Sequence, residues 1–369
     1  MALRALARVD TGAIERNCAR LAAAAAPAAL CAVVKADGYG HGTVAAARAA
    51  LAGGATWLAV ATAQEALALR DAGLDGPLLV LGALSAAELD VALAARADLG
   101  AWREDFVAAV AAHPLGAGTG IHVKLDSGLG RLGTRDPREA DRVTDAAAAA
   151  PGLRLAGAWT HFATADEPDP TFLREQLAVF GPWARAVAAR HPGVVVHAAN
   201  SAATLAAPET HFDLVRCGVA IYGLDPFQGD PAASGLEPAL ELRSYVAEVK
   251  RCHAGESAGY GRRFVARRDT WIGTIPIGYG DGVRRGLGDN ADVLVGGRRY
   301  PLVGTISMDN ITVDLGPADG EPPLRGADAV LIGRQGGQRI LAEEVARRLG
   351  TINYEVTCGI SARVPREHA

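Results

Sequence analysis

The sequence predicts an α/β protein in which a (β/α)8 barrel of the TIM type is followed by a mostly antiparallel β domain. Short apolar runs alternate with helical stretches until about residue 236, where the alternation stops and strand-type runs follow. Alternating strands and helices are typical of a parallel sheet, and eight such runs in roughly 225 residues fit a barrel. An open doubly wound sheet is the alternative, but no G-x-G-x-x-G follows an early strand.

The barrel domain is predicted over residues 12–236. Its strands are short apolar runs bounded by turn residues, namely 30–34, 56–60, 78–82, 97–101, 121–125, 154–160, 194–198 and 213–217. The helices between them are predicted over residues 44–52, 62–72, 85–95, 104–112, 137–149 and 172–190. Each of the first six predicted strands is therefore followed by a predicted helix, the alternation that a barrel requires.

The β domain is predicted over residues 237–369, with one strand contributed by residues 1–11. Its runs have strand composition and are separated by glycine, proline and aspartate turns, and they cover residues 242–249, 271–277, 292–295, 302–306, 311–315 and 328–332. One helix is predicted, over residues 341–349. Hairpins of this kind indicate an antiparallel sheet.

Composition excludes several classes of function. The chain has 369 residues, is 50% hydrophobic and carries a formal net charge of −4, which argues against nucleic acid or an anionic membrane as the main partner. The five cysteines are scattered without C-x-x-C spacing, so we expect no disulfide framework and no metal site, in a reducing cytoplasm. No apolar run approaches the roughly 20 residues that span a bilayer, and residues 1–11 do not resemble a secretory signal.

Lys35 is the first candidate for chemistry. It ends a predicted buried strand and is followed by a turn containing Gly38, Tyr39, Gly40 and Gly42. Burial disfavours the ammonium form, and a neutral amine can form a Schiff base with a carbonyl. The glycines allow close approach to a ligand, and the tyrosine hydroxyl can reach a phosphate. The structural alternative is a lysine that caps the strand and extends its amine into water.

Further polar residues follow the later barrel strands, at the end where barrel enzymes place their catalytic groups. They are Lys124, Asp126, Arg131, His161, Asn200, Ser201, Arg216 and Gly218. Each has a structural alternative, such as a helix cap, a salt-bridged arginine or a core histidine. Their convergence on one rim nevertheless favours a site. A serine that opens a helix and a glycine after the eighth strand predict a phosphate-binding position.

Several segments resemble the motifs of alanine racemases, a family that uses pyridoxal 5'-phosphate (PLP). The first is AVVKADGYGHG over residues 32–42, with Gly38 where alanine is common. The resemblance then covers nearly the whole chain, through residues 122–133, 159–166, 197–203, 215–224, 259–261, 273–282, 304–310 and 352–355.

The resemblance implies a two-base racemisation of alanine. Lys35 would hold PLP and serve as one base, and Tyr260 would be the other, supplied by the second subunit of a homodimer. His161 and Arg216 would help the tyrosine to ionise at neutral pH. Arg216 would also face the ring nitrogen of PLP without protonating it. D-alanine made in this way serves peptidoglycan synthesis in the cell wall.

The family also implies roles for further residues. Arg131 would hold the phenolic oxygen of PLP and contact substrate, positioned by Lys124, whose family counterpart is often carbamylated. The implied cofactor-binding residues are Lys35, Tyr39, Arg131, His161, Asn200, Ser201, Arg216, Gly218 and Tyr354. The implied substrate-binding residues are Arg131, Met308, Tyr279 and Tyr354, although a methionine also commonly fills a core.

Two positions depart from the family pattern. Ser307 stands where cysteine is frequent and Thr305 where many members have arginine. We expect neither to touch the proposed chemistry, although both leave the electrostatics of the substrate entrance, and hence the fine specificity, open.

Other activities remain as alternatives. A PLP-dependent serine or broad-specificity racemase is disfavoured by Tyr354, which narrows the pocket, and a basic amino-acid decarboxylase by Arg216, where an acid would face the ring nitrogen. A PLP-binding protein without turnover is usually a bare barrel, and a PLP-free Schiff-base aldolase leaves the later motifs unexplained.

Overall fold

The computed structural model of the protein describes residues 3–320 and 324–369. The chain forms two compact units. The first consists of residues 14–227, and the second consists of residues 3–13 together with residues 228–320 and 324–369. Residues 1–2, in the predicted range 1–11, and residues 321–323, in the predicted range 237–369, lie outside the described residues. The domain boundary predicted between residues 236 and 237 stays a prediction.

The chain starts with a strand, β1 (Leu6–Val9), and a helix, α1 (Thr11–Ala25). Eight parallel strands then close into a barrel, with β2 paired to both β3 and β9. They are β2 (Ala29–Val33), β3 (Trp57–Val60), β4 (Leu78–Val80), β5 (Asp98–Ala101), β6 (Gly120–Lys124), β7 (Arg154–Trp159), β8 (Val195–His197) and β9 (Leu214–Cys217). The predicted fold class is confirmed.

Helical segments follow the barrel strands. They are α2 (Lys35–Tyr39), α3 (Thr43–Ala52), α4 (Ala63–Asp71), α5 (Ala86–Ala94), α6 (Glu104–Ala112), α7 (Pro137–Ala149), α8 (Thr171–Arg190) and α9 (Ser201–Ala206). The local sequence explains where two of these helices begin. Thr62 with Glu65 at the start of α4, and Ser85 with Glu88 at the start of α5, form capping boxes. Each capping box bonds backbone N–H groups that have no partner within the helix. No helix in residues 3–320 or 324–369 is long and apolar enough to cross a membrane.

The second unit is built on one sheet in which almost all neighbouring strands are antiparallel. Its order among the described residues is β11-β14-β17-β16-β15-β18-β10-β1-β20, with β19 paired to β18, and a separate pair is formed by β12 and β13. The strands are β10 (Leu240–Tyr245), β11 (Glu248–Cys252), β12 (Ser257–Ala258), β13 (Phe264–Val265), β14 (Thr270–Ile275), β15 (Ala291–Val295), β16 (Arg298–Leu302), β17 (Ile311–Pro317), β18 (Asp328–Gln335), β19 (Gln338–Ile340) and β20 (Arg366–His368). The helices are α10 (Ala342–Leu349) and α11 (Asn353–Cys358).

Two predicted strands of this unit were wrong in detail, and several short elements were not predicted. Residues 302–306 are not a strand, because Gly296 and Gly297 adopt positive φ and turn the chain into the hairpin of β15 and β16, which ends at Leu302. The predicted strand 242–249 is two strands, since the N–H groups of Val246 and Ala247 bond to different neighbouring segments. The short helix α11 and the strands β12, β13, β19 and β20 were not predicted.

Candidate active site

The turn after β2 carries Lys35 on an unusual backbone. The next four residues, 36–39, all have φ between 53° and 59°, which forms one turn of left-handed helix. Ordinary side chains disfavour this conformation, so surrounding contacts must hold it. The N–H of Ala36 donates to Oε1 of Glu65 at 2.6 Å, and Oδ1 of Asp37 accepts from the N–H of Thr43 at 3.3 Å. Lys35, which is half-buried, therefore projects from a firmly held turn.

The left-handed turn delivers Tyr39 to the segment that follows β9. Its side chain is buried, with its ring centroid 5.1 Å from that of Tyr222, and its hydroxyl lies directly against Gly218. The N–H groups of Gly218 and Ala220 donate to Oγ of Ser201, at 3.0 and 3.3 Å. Two hydroxyls and the backbone around Gly218 thus meet in one place, as a phosphate site requires.

Asn200 acts as a helix cap. Its Oδ1 accepts from the N–H of Ala203 at 3.0 Å at the start of α9, which also holds Ser201 in position. The helix-cap role that was the structural alternative for Asn200 is thus present. The predicted contact of Asn200 with a cofactor stays a prediction.

Arg216 lies on β9 inside the barrel and is almost fully buried. The two hydrogens of its Nη2 are shared among three acceptors, namely the carbonyls of Thr160 and Ala198, at 2.8 and 3.0 Å, and Nδ1 of His161 at 3.1 Å. Burial lowers the pKa of Arg216 to about 10, which still leaves the guanidinium charged at neutral pH. Because His161 accepts at Nδ1, its own hydrogen sits on Nε2.

His161 lies among cations. Desolvation and the charges of Arg216, Lys124, Arg131 and Lys35 hold its pKa well below the usual value. The imidazole is therefore neutral at physiological pH. The guanidinium groups of Arg216 and Arg131 make this rim of the barrel positive, which suits a ligand carrying negative charges.

Lys124 is the last residue of β6 and is buried beneath this rim. Burial, together with the charges of Arg216 and Arg131, lowers its pKa to about 7. Its Nζ lies 4.4 Å from the ring centroid of Trp159, a cation–π distance. A buried lysine with so low a pKa has a substantial fraction of nucleophilic, neutral amine at neutral pH.

Asp126 stabilises the glycine-rich loop that leads to Arg131. Its Oδ1 accepts from the N–H groups of Gly128 and Gly130, at 3.1 and 3.0 Å, and its Oδ2 from Nε of Arg135 at 3.1 Å. Desolvation opposes its ionisation, but these donors hold its pKa below the usual value. Asp126 thus shapes the loop, while the exposed Arg131 remains available to a ligand.

Tyr260 belongs to the second unit, on the turn that connects β12 and β13, and the residue is 73% exposed. Its carbonyl accepts from Oγ1 of Thr305 at 2.9 Å. This contact is with the backbone of Tyr260 and not with its phenol, so the expectation that Thr305 does not touch the proposed chemistry stays a prediction. The hydroxyl approaches the tyrosine because residues 303–306 form a loop, whereas a strand was predicted there.

The same loop continues to Met308 and reaches the turn of Tyr279. The N–H of Tyr279 donates to the carbonyl of Ser307 at 3.0 Å, and the N–H of Gly280 to that of Met308 at 2.9 Å. The side chains of Tyr279 and Met308 are exposed, so Met308 does not fill the core of its own unit. Tyr354, on α11, is partly buried. The predicted site residues are thus divided between the two units.

Sequence reasoning missed a second group of polar residues inside the barrel, namely Asp98, His122 and His197. His122 and His197 are fully buried, and His197 contacts Arg216. One signal was present in the sequence: His122 precedes Lys124 by two residues on a strand, so both side chains face the barrel interior.

Comparison with known proteins matches both units. Residues 9–226 match the family model for the alanine racemase N-terminal domain, and residues 239–368 match that for the C-terminal domain. An alanine racemase of Frankia casuarinae is 43% identical over 99% of this chain and 96% of its own length. One from Geobacillus stearothermophilus is 44% identical over 91% of this chain and 85% of its own length. The crystal structure of the alanine racemase from Streptomyces lavendulae superposes with a TM-score of 0.92 at 38% identity, covering 100% of this chain and 98% of that one.

The barrel, the antiparallel sheet that follows it and these relatives define an enzyme of the isomerase class. Within that class, the chain belongs to the alanine racemase family.

Proposed function

We propose that the protein interconverts L-alanine and D-alanine with PLP as cofactor, by a two-base mechanism in which Lys35 and Tyr260 act on opposite faces of the substrate. One observation carries the proposal: the cationic rim around His161 adjoins a cradle of hydroxyls and backbone amides at Tyr39, Ser201 and Gly218. A phosphate and a phenolic oxygen on one cofactor match these two regions.

The residues fit PLP on chemical grounds. A side chain on residue 218 would overlap the hydroxyl of Tyr39, so glycine keeps the cradle open for phosphate oxygens. Lys35 supplies the amine that would hold the cofactor aldehyde, and Arg131 a cation for its phenolic oxygen. When bound, PLP supplies an electron sink for the carbanion formed at the substrate α-carbon.

Side chains of the protein would then carry out the proton transfers at the substrate. The Nζ of Lys35 and the phenol oxygen of Tyr260 would each remove or return a proton at the α-carbon, one from each face. Neutral His161 has a hydrogen on Nε2 that would stabilise the phenolate. Arg216 would donate a hydrogen bond to the ring nitrogen of PLP without transferring a proton, which limits electron withdrawal and favours reprotonation of the α-carbon.

The proposal includes a homodimer in the cytoplasm, in which the partner subunit's Tyr260 completes each site. Its support is the high exposure of Tyr260 together with the family's motif at residues 259–261. D-alanine for peptidoglycan is the proposed product, and alanine is proposed to be favoured over serine because Tyr279 and Tyr354 narrow the entrance.

The test measures D-alanine formation from L-alanine, and the reverse, with PLP present and with serine assayed in parallel. We expect Lys35→Ala to abolish both directions and the visible absorption of the covalently held cofactor. Lys250→Ala, which removes an exposed lysine of the second unit, should change neither. Bound cofactor without racemisation of alanine or serine would refute the assignment, and faster turnover of serine would support the broad-specificity alternative.

A further inference from the structure

The guanidinium of Arg216 is the first member of a hydrogen-bonded chain through the barrel interior. Its Nη1 lies 3.0 Å from Nδ1 of His197. Nε2 of His197 lies 2.9 Å from Nδ1 of His122, and Nε2 of His122 lies 3.4 Å from Oδ2 of Asp98. We call these four residues the Arg216–Asp98 chain.

The chain connects the candidate site with the opposite end of the barrel. Asp98 is the first residue of β5, and all barrel strands are parallel. Its carboxylate therefore lies at the amino-terminal end of the strands, whereas the rim with Lys35 and His161 lies at their carboxyl ends. None of the functions proposed above uses Asp98 or the two histidines.

The hydrogens along the chain have one consistent arrangement. A guanidinium has only donors, so Nδ1 of His197 must accept from Arg216. The hydrogen of His197 is then on Nε2 and is donated to Nδ1 of His122. The hydrogen of His122 is consequently on Nε2 and points to the carboxylate of Asp98. In this arrangement every hydrogen bond is donated in the same direction, from the candidate site toward Asp98.

The electrostatics support this arrangement. Desolvation and the charge of Arg216 hold the pKa of His197 well below its usual value, so the imidazole is neutral. Burial alone would raise the pKa of Asp98, but the hydrogen bond from His122, the charge of Arg154 and the hydrogen bond from the N–H of Gly120 lower it. Oδ1 of Asp98 also accepts from Nη2 of Arg154 and from the N–H of Gly120, both at 3.0 Å. The carboxylate is thus ionised and held in one orientation.

Packing keeps the two imidazoles in place. A side chain on residue 157 of the neighbouring strand β7 would overlap the ring of His122. Glycine at this position therefore leaves the space that the histidine occupies. The ring of Trp159 stacks on His197 with centroids 5.6 Å apart and an interplanar angle of 10°. Nε1 of Trp159 donates to the carbonyl of His122 at 3.1 Å.

We propose that Asp98 is a positioning residue for Arg216 and acts through the two histidines between them. Its carboxylate orders the imidazole hydrogens so that the unprotonated Nδ1 of His197 faces the guanidinium. The inference rests on the proposed function, in which Arg216 faces the ring nitrogen of PLP, and it adds a residue at the far end of the barrel to that site.

Replacing Asp98 with asparagine should reverse the direction of the hydrogen bonds along the Arg216–Asp98 chain, while nearly preserving the volume of the side chain. If the amide oxygen keeps its bonds to Gly120 and Arg154, the NH2 group faces His122. Nε2 of His122 must then accept, and both imidazoles change tautomer. A hydrogen on Nδ1 of His197 would face the donor of Arg216, and this repulsion would displace the guanidinium.

The first measurement is nitrogen NMR of the PLP-loaded enzyme labelled in its nine histidines, with signals assigned from His122→Asn and His197→Asn. In the wild type we expect both rings of the chain to be neutral with the hydrogen on Nε2. This measurement does not depend on the folding of any Asp98 variant or on activity. A wild-type His197 with its hydrogen on Nδ1, or on both nitrogens, would overturn the proposal.

The second measurement is the effect of Asp98→Asn on tautomers, kcat and KM. We expect both histidines to change tautomer and kcat to fall about 10- to 100-fold, as for other carboxylates that orient a functional histidine, with KM for alanine little changed. Asp90→Asn is the matched control, because it removes a carboxylate 2.8 Å from Nε2 of His113 on the exposed surface of the same barrel. It should leave kcat and the spectra of the chain unchanged.

A double-mutant cycle separates positioning from a local structural role. In His122→Asn, the amide oxygen can accept from Nε2 of His197 whatever occupies residue 98. Adding Asp98→Asn to this variant should therefore cause little further loss of kcat. Additive losses, or unchanged tautomers in Asp98→Asn, would refute the inference even if the wild type racemises alanine. A wild type that does not racemise alanine would refute the proposed function, while the tautomers would still test the chain.

Discussion

The side chain of Tyr39 occupies the space that a side chain on residue 218 would need. Its hydroxyl lies against Gly218, and its ring is held by Tyr222 with centroids 5.1 Å apart. The N–H of Gly218 in turn donates to Oγ of Ser201. The absence of a side chain at one position therefore sets the geometry of the proposed phosphate cradle.

Gly218→Ala is expected to weaken PLP binding. The added methyl group must displace the phenol of Tyr39, and a hydrogen bond to a charged group is worth about 1.5–3 kcal/mol, so Kd should rise roughly ten- to a hundredfold. Titration of the apoenzyme with PLP, followed by absorbance, measures this change. Gly76→Ala is the control, since nothing lies within 4 Å of the added methyl. An unchanged Kd in Gly218→Ala would argue against the cradle.

The barrel and its polar rim were predictable because both follow from local patterns. Buried parallel strands appear as short apolar runs, and the polar residue after each run lies at a shared rim. His161 and Arg216 were found in this way, and the structure joins them by a hydrogen bond of 3.1 Å.

The backbone after Lys35 could not be predicted in this way. Ala36 and Asp37 have no intrinsic preference for positive φ, and the left-handed turn depends on bonds to Glu65, in α4, and to Thr43. The contact between Thr305 and Tyr260 was missed for a similar reason, because it joins segments 45 residues apart. Such long-range contacts leave no periodic signal in the sequence.

Tyr260→Phe is expected to leave the PLP complex intact and to slow racemisation in both directions. Loss of a positioned proton-transfer group costs about 10²- to 10⁴-fold in rate, whereas PLP binding would depend on the barrel unit. The measurements are kcat from each enantiomer and the visible spectrum of the bound cofactor. Tyr300→Phe, on β16 of the same unit, is the matched control. Retention of full activity in both directions would remove Tyr260 from the mechanism.

Lys124 should make the stability of the protein depend on pH. The unfolded lysine keeps its proton up to its ordinary pKa of 10.5, whereas the folded one loses it at about 7. Between these values the unfolded chain binds the extra proton, so stability increases as pH rises.

Comparison with Lys124→Met isolates this effect. The free energy of unfolding of the wild type relative to the variant should increase by up to about 1.4 kcal/mol per pH unit in that window. Urea unfolding of both proteins at two pH values, in carbonate-free buffer to prevent carbamylation, measures the difference. A difference that does not change with pH would show that the lysine keeps its proton when folded.

Thr305→Val is expected to lower kcat through the position of Tyr260. The substitution removes the hydroxyl that donates to the tyrosine carbonyl at 2.9 Å and keeps the shape of the side chain. A neutral hydrogen bond contributes about 0.5–1.5 kcal/mol, which corresponds to roughly a two- to tenfold change in rate. Thr305→Ser retains the donor and should keep wild-type kcat, which separates the hydrogen bond from simple packing. If Thr305→Ser loses activity and Thr305→Val does not, the methyl group rather than the hydroxyl positions Tyr260. If neither does, the turn holds the tyrosine without help from residue 305.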